Sequence, residues 1–394
     1  MSTRIATTAK DLKEAAEQIR ASSVVYLDTE FHAERRYLPK LYLVQVLVEG
    51  GTVWILDPLT QGTIDAVREP LLETPWILHA GHQDMRVMLR VLGDLPERIL
   101  DVQLAHGLLS TEFPAPLGRL AVAHLGAPID KSATLTDWSR RPLSPEQLHY
   151  AAQDVLLLPA LWERLQAALA VRGRVELHSA ACAQARSAVL DPPDPALAWE
   201  EVQGVEHLTP QQAMVAAELA LWRREVAEDE DTPERSVLSD GLLNELSRSQ
   251  PASVAALHAN RRFPKRVIQR HGAALVDRIQ RAAHRPQWGW PQMVTPGTHA
   301  ALRFHWLETF ALALGLRDQW AVRLVMPPDI VRQACFCTDP TALSSRLGWR
   351  APLLQPGLGE ALRGSRTLAF DGAISTRDPH EQNISNESDG STGS

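Results

Sequence analysis

Short apolar runs rich in Val, Ile and Tyr dominate the first hundred residues, and such runs favour buried strands. They lie at residues 24–27, 41–48, 52–56 and 76–80. The second and third runs flank Gly50-Gly51, which predicts a hairpin and therefore antiparallel strands at the start of the sheet. Helical patterns at 8–21 and 85–92 alternate with these strands. We therefore expect an α/β fold with a mixed sheet and helices on its faces.

A further helix is predicted to begin after Ser144. Serine is a favoured N-cap, proline follows it at the first helical position, and Gln147 completes a capping box. Tyr150 and Asp154 then lie one turn apart on the same helical face. Helical pattern continues to about residue 169, with a kink or break expected at Pro159.

Beyond the α/β region the chain is predicted to be helical and divided by proline-rich breaks. A chain of 394 residues exceeds the size of one domain. The predicted units are an α/β domain at 1–185, a linker at 186–206, a helical domain at 207–286, a linker at 287–297, a second helical domain at 298–368 and a tail at 369–394. The tail consists mainly of Ser, Asn, Asp, Glu and Gly, and is predicted to be disordered because it has too little apolar surface to bury.

Composition restricts the compartment and the partners of the protein. The chain is 45% hydrophobic, has no apolar run near the roughly 20 residues of a membrane helix, and lacks a hydrophobic segment behind its N-terminus. Three cysteines cannot form a disulfide framework. We therefore expect a cytoplasmic monomer with no membrane contact. A net charge of -7 disfavours a general polyanion binder, although a local basic patch remains compatible with it.

The chemistry of the chain is predicted to centre on four carboxylates. Asp28 and Glu30 are two residues apart in a strand, so both project from one face. Alone they are equally compatible with solvated charges at a strand end. Asp84 and Asp154 come from other elements that can reach the same sheet edge. Four carboxylates suit two divalent cations of the Mg²⁺ or Mn²⁺ type, and Tyr150 beside them could orient a water molecule.

Three motifs resemble those of the ribonuclease D family, which belongs to the ribonuclease H-like 3'→5' exonucleases. They are Asp28-Thr29-Glu30-Phe31, His79-Ala80-Gly81-x-x-Asp84 and Tyr150-x-x-x-Asp154, and residues 37–45 and 130–143 agree as well. The resemblance implies a metal-dependent exoribonuclease that trims 3' ends of structured RNA such as tRNA precursors. It also implies one cation on Asp28, Glu30 and Asp154, a second on Asp28 with Asp84, and a nucleophilic water positioned by Tyr150.

The helical region from about residue 207 resembles an HRDC domain, a nucleic-acid-binding module shared by RecQ helicases and ribonuclease D. Trp222-Arg223-Arg224 and residues 237–240 carry this resemblance. Residues 298–365, with Gly348-Trp349-Arg350, resemble the second and more diverged module of the same family. The ribonuclease H-like domain is thus expected to precede two small all-α HRDC-type domains.

A basic cluster in the first helical domain is the predicted contact for nucleic acid. Positive charge predominates between residues 258 and 285, where Arg278, Arg281 and Arg285 also lie, and the candidates for contact are Arg261, Arg262, Lys265, Arg266 and Arg270. Such a local excess of positive charge is expected for phosphate contacts, and a merely solvated basic helix is the alternative. Lys131 is a further candidate for a phosphate contact, against a solvated lysine. The acidic segment at 225–234 does not fit a nucleic-acid face.

Two other functions are compatible with the sequence. The same carboxylate site would also cleave DNA, since only contacts to the 2'-hydroxyl distinguish the two nucleic acids. A catalytically silent nucleic-acid-binding protein is the second alternative, and the intact acidic and tyrosine positions argue against it. Near the site, His79 and His82 are expected to pack rather than ligate metal. Asp101 and Asp137 are expected to cap helices or form ion pairs at least as readily as extend the site.

Overall fold

The structure is a computed structural model that describes residues 2–32, 36–126, 137–191, 199, 202–284, 298–328, 330–331, 347–354, 358, 367–370 and 374–377. Six strands form the main sheet: β1 (Ser2–Ile5), β2 (Val25–His32), β3 (Lys40–Leu47), β4 (Thr52–Leu56), β5 (Trp76–Leu78) and β6 (Ile99–Asp101). Their order across the sheet is β1-β4-β3-β2-β5-β6.

The sheet is mixed, as predicted. β2 runs antiparallel to β3 and parallel to β5, and β3 and β4 form the predicted hairpin. β1 was not predicted, because Ile5 is its only large apolar residue. It pairs parallel with β4 at the edge of the sheet, where one face and one side remain exposed. The strand that carries Asp28 and Glu30 is therefore central, with neighbours on both sides.

Eight helices cover the two faces of this sheet. They are α1 (Ala9–Ala21), α2 (Thr63–Glu73), α3 (His82–Leu92), α4 (Val102–Gly107), α5 (Leu117–Leu125), α6 (Pro145–Leu156), α7 (Leu158–Val171) and α8 (Val175–Leu190). One core, under α1 to α3, includes the fully buried Trp54 and Trp76. The other, under α4 to α8, includes Leu43 and Ile77. The two faces of the sheet are thus both apolar, and the site must be sought at an edge of these cores.

The predicted start of α6 is confirmed. The side chain of Ser144 accepts the Gln147 N–H at 3.2 Å, and the Gln147 carboxamide accepts the Ser144 N–H at 2.8 Å. The predicted break is confirmed as well, since α6 ends at Leu156 and α7 begins at Leu158. The capping box therefore fixes the first turn of the helix that carries Tyr150 and Asp154.

A second helical group follows: α9 (Pro210–Asp229), α10 (Glu234–Val237), α11 (Asp240–Ser249), α12 (Val254–Ala259) and α13 (Lys265–Ala283). These helices enclose their own core, which includes Trp222 and Leu275. Tyr37, from the segment just after β2, packs against this core. In the linker predicted at 186–206, residues 186–190 belong to α8, and residues 192–198, 200 and 201 lie outside the described part. The linker predicted at 287–297 lies entirely outside it.

In the part of the chain that the structure describes, the buried apolar residues of the C-terminal elements belong to the core of the α/β domain. They comprise α14 (Thr298–Asp318), α15 (Val322–Val325), the helical turns Gly348–Arg350 and Ala351–Leu354, and the paired strands β7 (Thr367–Phe370) and β8 (Ile374–Arg377). Phe310 and Trp320 are fully buried in the core that contains α4 to α8. β8 lies within the segment predicted to be disordered from residue 369, and residues 378–394 fall outside the described part. No helix in the described part of the chain is long and apolar enough to cross a bilayer.

Candidate active site

Asp28 and Glu30 lie on one face of β2, as their spacing predicted. Val25, Leu27 and Thr29 alternate with them and are buried on the opposite face. The pairing of β2 with β5 covers only Val25 and Tyr26, whereas its pairing with β3 continues to the end of the strand. The strand therefore extends beyond its parallel neighbour, and the two carboxylates occupy this extension.

Helix α6 packs across β2 and β3 and brings Asp154 to the same place. Ligand oxygens of Asp28, Glu30 and Asp154 all lie within 4.8 Å of one another, and each of the three residues is partly buried. Tyr150, one turn earlier on α6, shares this environment, because all three carboxylates contribute to raising its pKa. Two elements separated by more than a hundred residues thus build one oxygen-rich cluster.

Asp84 approaches from the first turn of α3. Its carboxylate is buried and accepts a hydrogen bond of 2.5 Å from the Thr29 hydroxyl, on the other face of β2. The turn before α3 is tight, because a Cβ on Gly81 would lie 2.4 Å from a side-chain carbon of Leu78. Asp84 is therefore held at the edge of the cluster rather than within the group of three.

Burial raises the pKa of every carboxyl group in the site, and repulsion from the other site carboxylates adds to this for Asp28 and Glu30. Burial is the largest cause for Asp28, followed by the charges of Asp84, Asp154 and Glu30, and its pKa lies well above the usual range. The pKa of Glu30 rises to about 8 for the same reasons. Burial raises the pKa of Asp84 and of Asp154 to about 6. In the described ranges no lysine or arginine forms an ion pair with these carboxylates, and none is among the main causes of these shifts.

The cluster fits divalent cations. Carboxylate oxygens are the ligands that Mg²⁺ and Mn²⁺ prefer, and like charges held this close require positive charge between them. Tyr150 is suited to orienting a water molecule beside these cations. Burial, then Asp154, raises the pKa of its phenol, which therefore keeps its proton at neutral pH and can donate a hydrogen bond.

Two residues just before α6 contribute to its position, and neither was singled out from the sequence. Arg141 forms two hydrogen bonds with Asp57, at 2.6 and 2.9 Å, and donates to the carbonyl of Tyr42 at 2.8 Å. Trp138 is buried, and its ring centroid lies 6.2 Å from that of Tyr150. The segment before α6 is thus hydrogen-bonded to the sheet region, and its Trp138 ring packs near the Tyr150 ring. Both residues lie in the segment 130–143, whose agreement with the family motifs was the sequence feature that could have identified them.

The remaining candidates near the site have structural roles. A ring nitrogen of His79 lies 2.9 Å from the carbonyl oxygen of Ala115. Neither His79 nor His82 belongs to the group of ligand atoms formed by the described residues. Asp101 caps α4 and accepts the backbone N–H groups of Ala80 and Gly81 at 3.1 and 2.9 Å. Asp101 therefore shapes the turn that leads to Asp84.

Asp137 also acts locally. Its carboxylate accepts the backbone N–H of Ser139 and the Arg140 guanidinium, both at 3.0 Å. Capping and ion pairing, the alternatives kept open for Asp101 and Asp137, are thus what these carboxylates do.

The basic cluster lies at the start of α13 and just before it. Arg261, Arg262, Lys265 and Arg266 are exposed, and within the described ranges they form no ion pair. Arg270, predicted to act with them, instead pairs with Glu230 at 2.8 Å. Lys131 lies outside the described residues.

The acidic segment at 225–234 is explained by partners within the protein. Arg278 pairs with Glu225 at 2.6 Å, and Arg36, just after β2, pairs with Asp231 at 2.9 Å. The first of these ties α13 to α9. The second ties the acidic segment to the loop that follows the carboxylate strand.

Comparisons with known proteins identify the relatives of this chain. Residues 3–170 match the family model described as 3'-5' exonuclease, and residues 212–279 match the HRDC domain. The chain is 33% identical over 291 residues to ribonuclease D of Pseudomonas paraeruginosa, covering 71% of this chain and 75% of that protein. It is 30% identical over 315 residues to ribonuclease D of Escherichia coli, covering 77% and 82%.

A solved structure extends the comparison. The crystal structure of Escherichia coli RNase D, described as an exoribonuclease involved in structured RNA processing, superposes with a TM-score of 0.74 at 25% sequence identity. The match covers 92% of this chain and 99% of that one, so it includes the C-terminal helices as well as the α/β domain.

Proposed function

The chain belongs to the ribonuclease D family of 3'→5' exoribonucleases, and we propose that it trims the 3' ends of structured RNA, tRNA precursors among them, as a monomer. It is a hydrolase of phosphodiester bonds, and enzymes of this exonuclease family depend on metal. One observation carries the proposal for the site. Asp28, Glu30 and Asp154 place ligand oxygens within 4.8 Å of one another, and no lysine or arginine in the described ranges forms an ion pair with them.

Two cations, Mg²⁺ or Mn²⁺, are proposed to bind these carboxylates. Asp28, Glu30 and Asp154 would hold one, and Asp28 with Asp84 the other. Bound there, the ions supply positive charge for the attacking and leaving oxygens and acidify a water molecule. The protein supplies the rest: Thr29 holds Asp84 in place, and the protonated phenol of Tyr150 orients the attacking water.

Binding of RNA is assigned to the helical domain next to the site. Arg261, Arg262, Lys265 and Arg266 are proposed to contact phosphates, since they are exposed and unpaired in the described part of the chain. Arg270 is a weaker candidate, because it is engaged with Glu230. An exposed ion pair of this kind contributes only about 0–1 kcal/mol, so RNA could still exchange with it.

The test uses one labelled RNA and its DNA equivalent, each with EDTA, Mg²⁺ or Mn²⁺. Hydrolysis from the 3' end should vanish in EDTA and return with either ion. Asp28→Asn should lower turnover by at least about a hundredfold, as expected when a central charge in the transition state is lost. Full activity of this variant would contradict the site assignment. Equal rates on RNA and DNA would instead favour the broader nuclease.

A further inference from the structure

The carboxamide of Gln45 is an anomaly in the core of the sheet. Gln45 is in β3 and is fully buried, yet neither its amide nitrogen nor its amide oxygen has a hydrogen-bond partner among the described residues. A buried polar group without a partner destabilises the folded state, and nearly all such groups in folded proteins are paired. An uncompensated amide at this position therefore calls for a functional explanation.

The strand register places Gln45 directly opposite Asp28. Side chains alternate along both strands, so Gln45 projects from the same face as Asp28 and Glu30. Opposed residues in antiparallel strands have Cβ atoms about 4.5–5.5 Å apart. On its other side, β4 presents the fully buried Ile55. Among its two cross-strand neighbours, Asp28 is thus the polar one.

We infer that Gln45 is a positioning residue of the exonuclease site, whose amide nitrogen donates a hydrogen bond to the Asp28 carboxylate when cations are bound. This inference rests on the proposed two-cation function. Carboxylates that bind metal are usually held by hydrogen bonds from neighbouring groups, and these fix the direction of their lone pairs. Such a bond to an ionised carboxylate is about twice as strong as one between neutral groups.

An uncharged amide is the suitable group for this position. Lysine or arginine would place a fixed positive charge where the cations must bind. Glutamate would add a further negative charge to carboxylates that already repel one another. Glutamine can donate to Asp28 without either effect, and its fixed place in a central strand limits the freedom of the carboxylate.

A purely structural role for Gln45 gives different consequences. If the amide were bonded to an ordered water inside the core, removing it would destabilise the protein and leave catalysis unchanged. If the Gln45 amide instead bonds to Asp28 when cations are bound, removing it should stabilise the cation-free protein and impair catalysis. The two roles therefore differ in the sign of the stability change as well as in activity.

The experiment compares Gln45→Met, which keeps the length of the side chain but has no donor, with the wild type. In EDTA we expect an unchanged or higher melting temperature. With Mg²⁺, kcat should fall about 10- to 100-fold, the usual effect of losing a group that orients a metal ligand, while KM for RNA stays nearly constant. Calorimetry should show weaker Mg²⁺ binding by a similar factor. Gln45→Leu provides a second apolar shape if the methionine variant does not fold.

Thr63→Val is the matched control. Thr63 in α2 is also fully buried and its hydroxyl also lacks a partner in the described chain, but α2 is not among the elements that carry the four site carboxylates. It should leave kcat and Mg²⁺ affinity unchanged. Wild-type kcat and Mg²⁺ affinity in Gln45→Met, or a lower melting temperature without loss of kcat, would overturn the inference. If Asp28→Asn is inactive in the same assay, that failure concerns Gln45 alone, whereas an active Asp28→Asn would contradict the proposed function itself.

Discussion

Tyr150 contributes a ring and a hydroxyl to the site, and the two can be separated. The ring packs near Trp138, and Tyr150→Phe retains that contact. The hydroxyl is proposed to orient the attacking water, so its removal should slow the chemical step by about 10²–10⁴-fold. Single-turnover kinetics measures that step directly. Mg²⁺ affinity from calorimetry serves as the control, and a parallel collapse of metal binding would make Tyr150 a structural residue.

The raised pKa values of the carboxyl groups predict a dependence of stability on pH. The folded protein keeps protons on Asp84 and Asp154 up to about pH 6 and on Glu30 up to about pH 8, whereas the unfolded chain releases them near pH 4. Protons bound more tightly by the folded state make stability fall as pH rises through this window. In EDTA, the free energy of unfolding should therefore drop between about pH 5 and pH 8 by at least about 1.4 kcal/mol, the equivalent of one pKa unit.

Urea denaturation at the two pH values measures this drop. Mg²⁺ should restore the lost stability at the higher pH, since cations bind only the ionised carboxylates. Glu30→Gln, which cannot ionise, should show a smaller drop in EDTA. A flat profile for the wild type would mean that water or rearrangement already relieves the repulsion.

At the residue level, the sequence predicts what depends on local spacing. Asp28 and Glu30 were expected on one face because strands alternate, and Asp154 was expected beside Tyr150 because helices repeat every three to four residues. Thr29 and Gln45 were not predicted to matter, because their importance depends on which residue lies opposite or above them. The register between β2 and β3 and the position of α3 relative to β2 depend on tertiary structure, so no local sequence pattern predicts them.

At the level of elements, the capping box of α6 fixes the helix that carries two site residues. Ser144→Ala should cost about 1 kcal/mol of stability, the usual value for an N-cap, and fraying of the first turn should loosen Tyr150. We expect turnover well below the melting temperature to fall severalfold. Thr8→Ala removes the equivalent capping box of α1, away from the site, and should cost the same stability without affecting turnover. Equal turnover in the two variants would show that the cap serves the fold alone.

Elements with strong end signals were predicted well, and those without them were not. The capping box and the Gly50-Gly51 turn identified α6 and the β3–β4 hairpin. β1 was not predicted, because its four residues show no alternation of apolar positions and form a strand by pairing with β4. Residues 99–101 have no such end signal, and the structure shows a strand followed directly by a helix, with Asp101 ending β6 and capping α4.

At the level of the whole molecule, binding of RNA and its hydrolysis should be separable. Replacing Arg261, Arg262, Lys265 and Arg266 by Ala removes four proposed phosphate contacts on α13 and its approach. The slope of log K against log salt should flatten by about 0.7 per lost contact to single-stranded RNA. Cleavage at saturating RNA should change little, because the carboxylates belong to a different domain.

The control replaces Lys10 and Lys13, which are exposed on α1 in the described structure, by Ala. It should leave the slope unchanged. The folded state of both variants is checked by circular dichroism. An unchanged slope in the fourfold variant would make the cluster a solvated face and direct attention to the α/β domain itself.

For the C-terminal elements, the sequence predicted helices but not the core into which they pack. An apolar helical face predicts that something covers it, but not what, so residues 298–368 were expected to form a domain of their own. Instead, α14 packs on the α/β core, and the Ala321 N–H donates to the Gly107 carbonyl at 2.7 Å. Arg174 reinforces the junction by donating to the carbonyls of Asp318 and Gln319, at 2.6 and 3.0 Å.

This shared core determines how the enzyme can be shortened. Ending the polypeptide at about residue 290 would remove Phe310 and Trp320 and uncover the apolar surfaces of α4, α5 and α7 that they fill. Such a fragment would resemble half of a divided hydrophobic core, and it would tend to aggregate even though every carboxylate of the site remained in it. A shortened nuclease should therefore keep the C-terminal helices as part of the catalytic body.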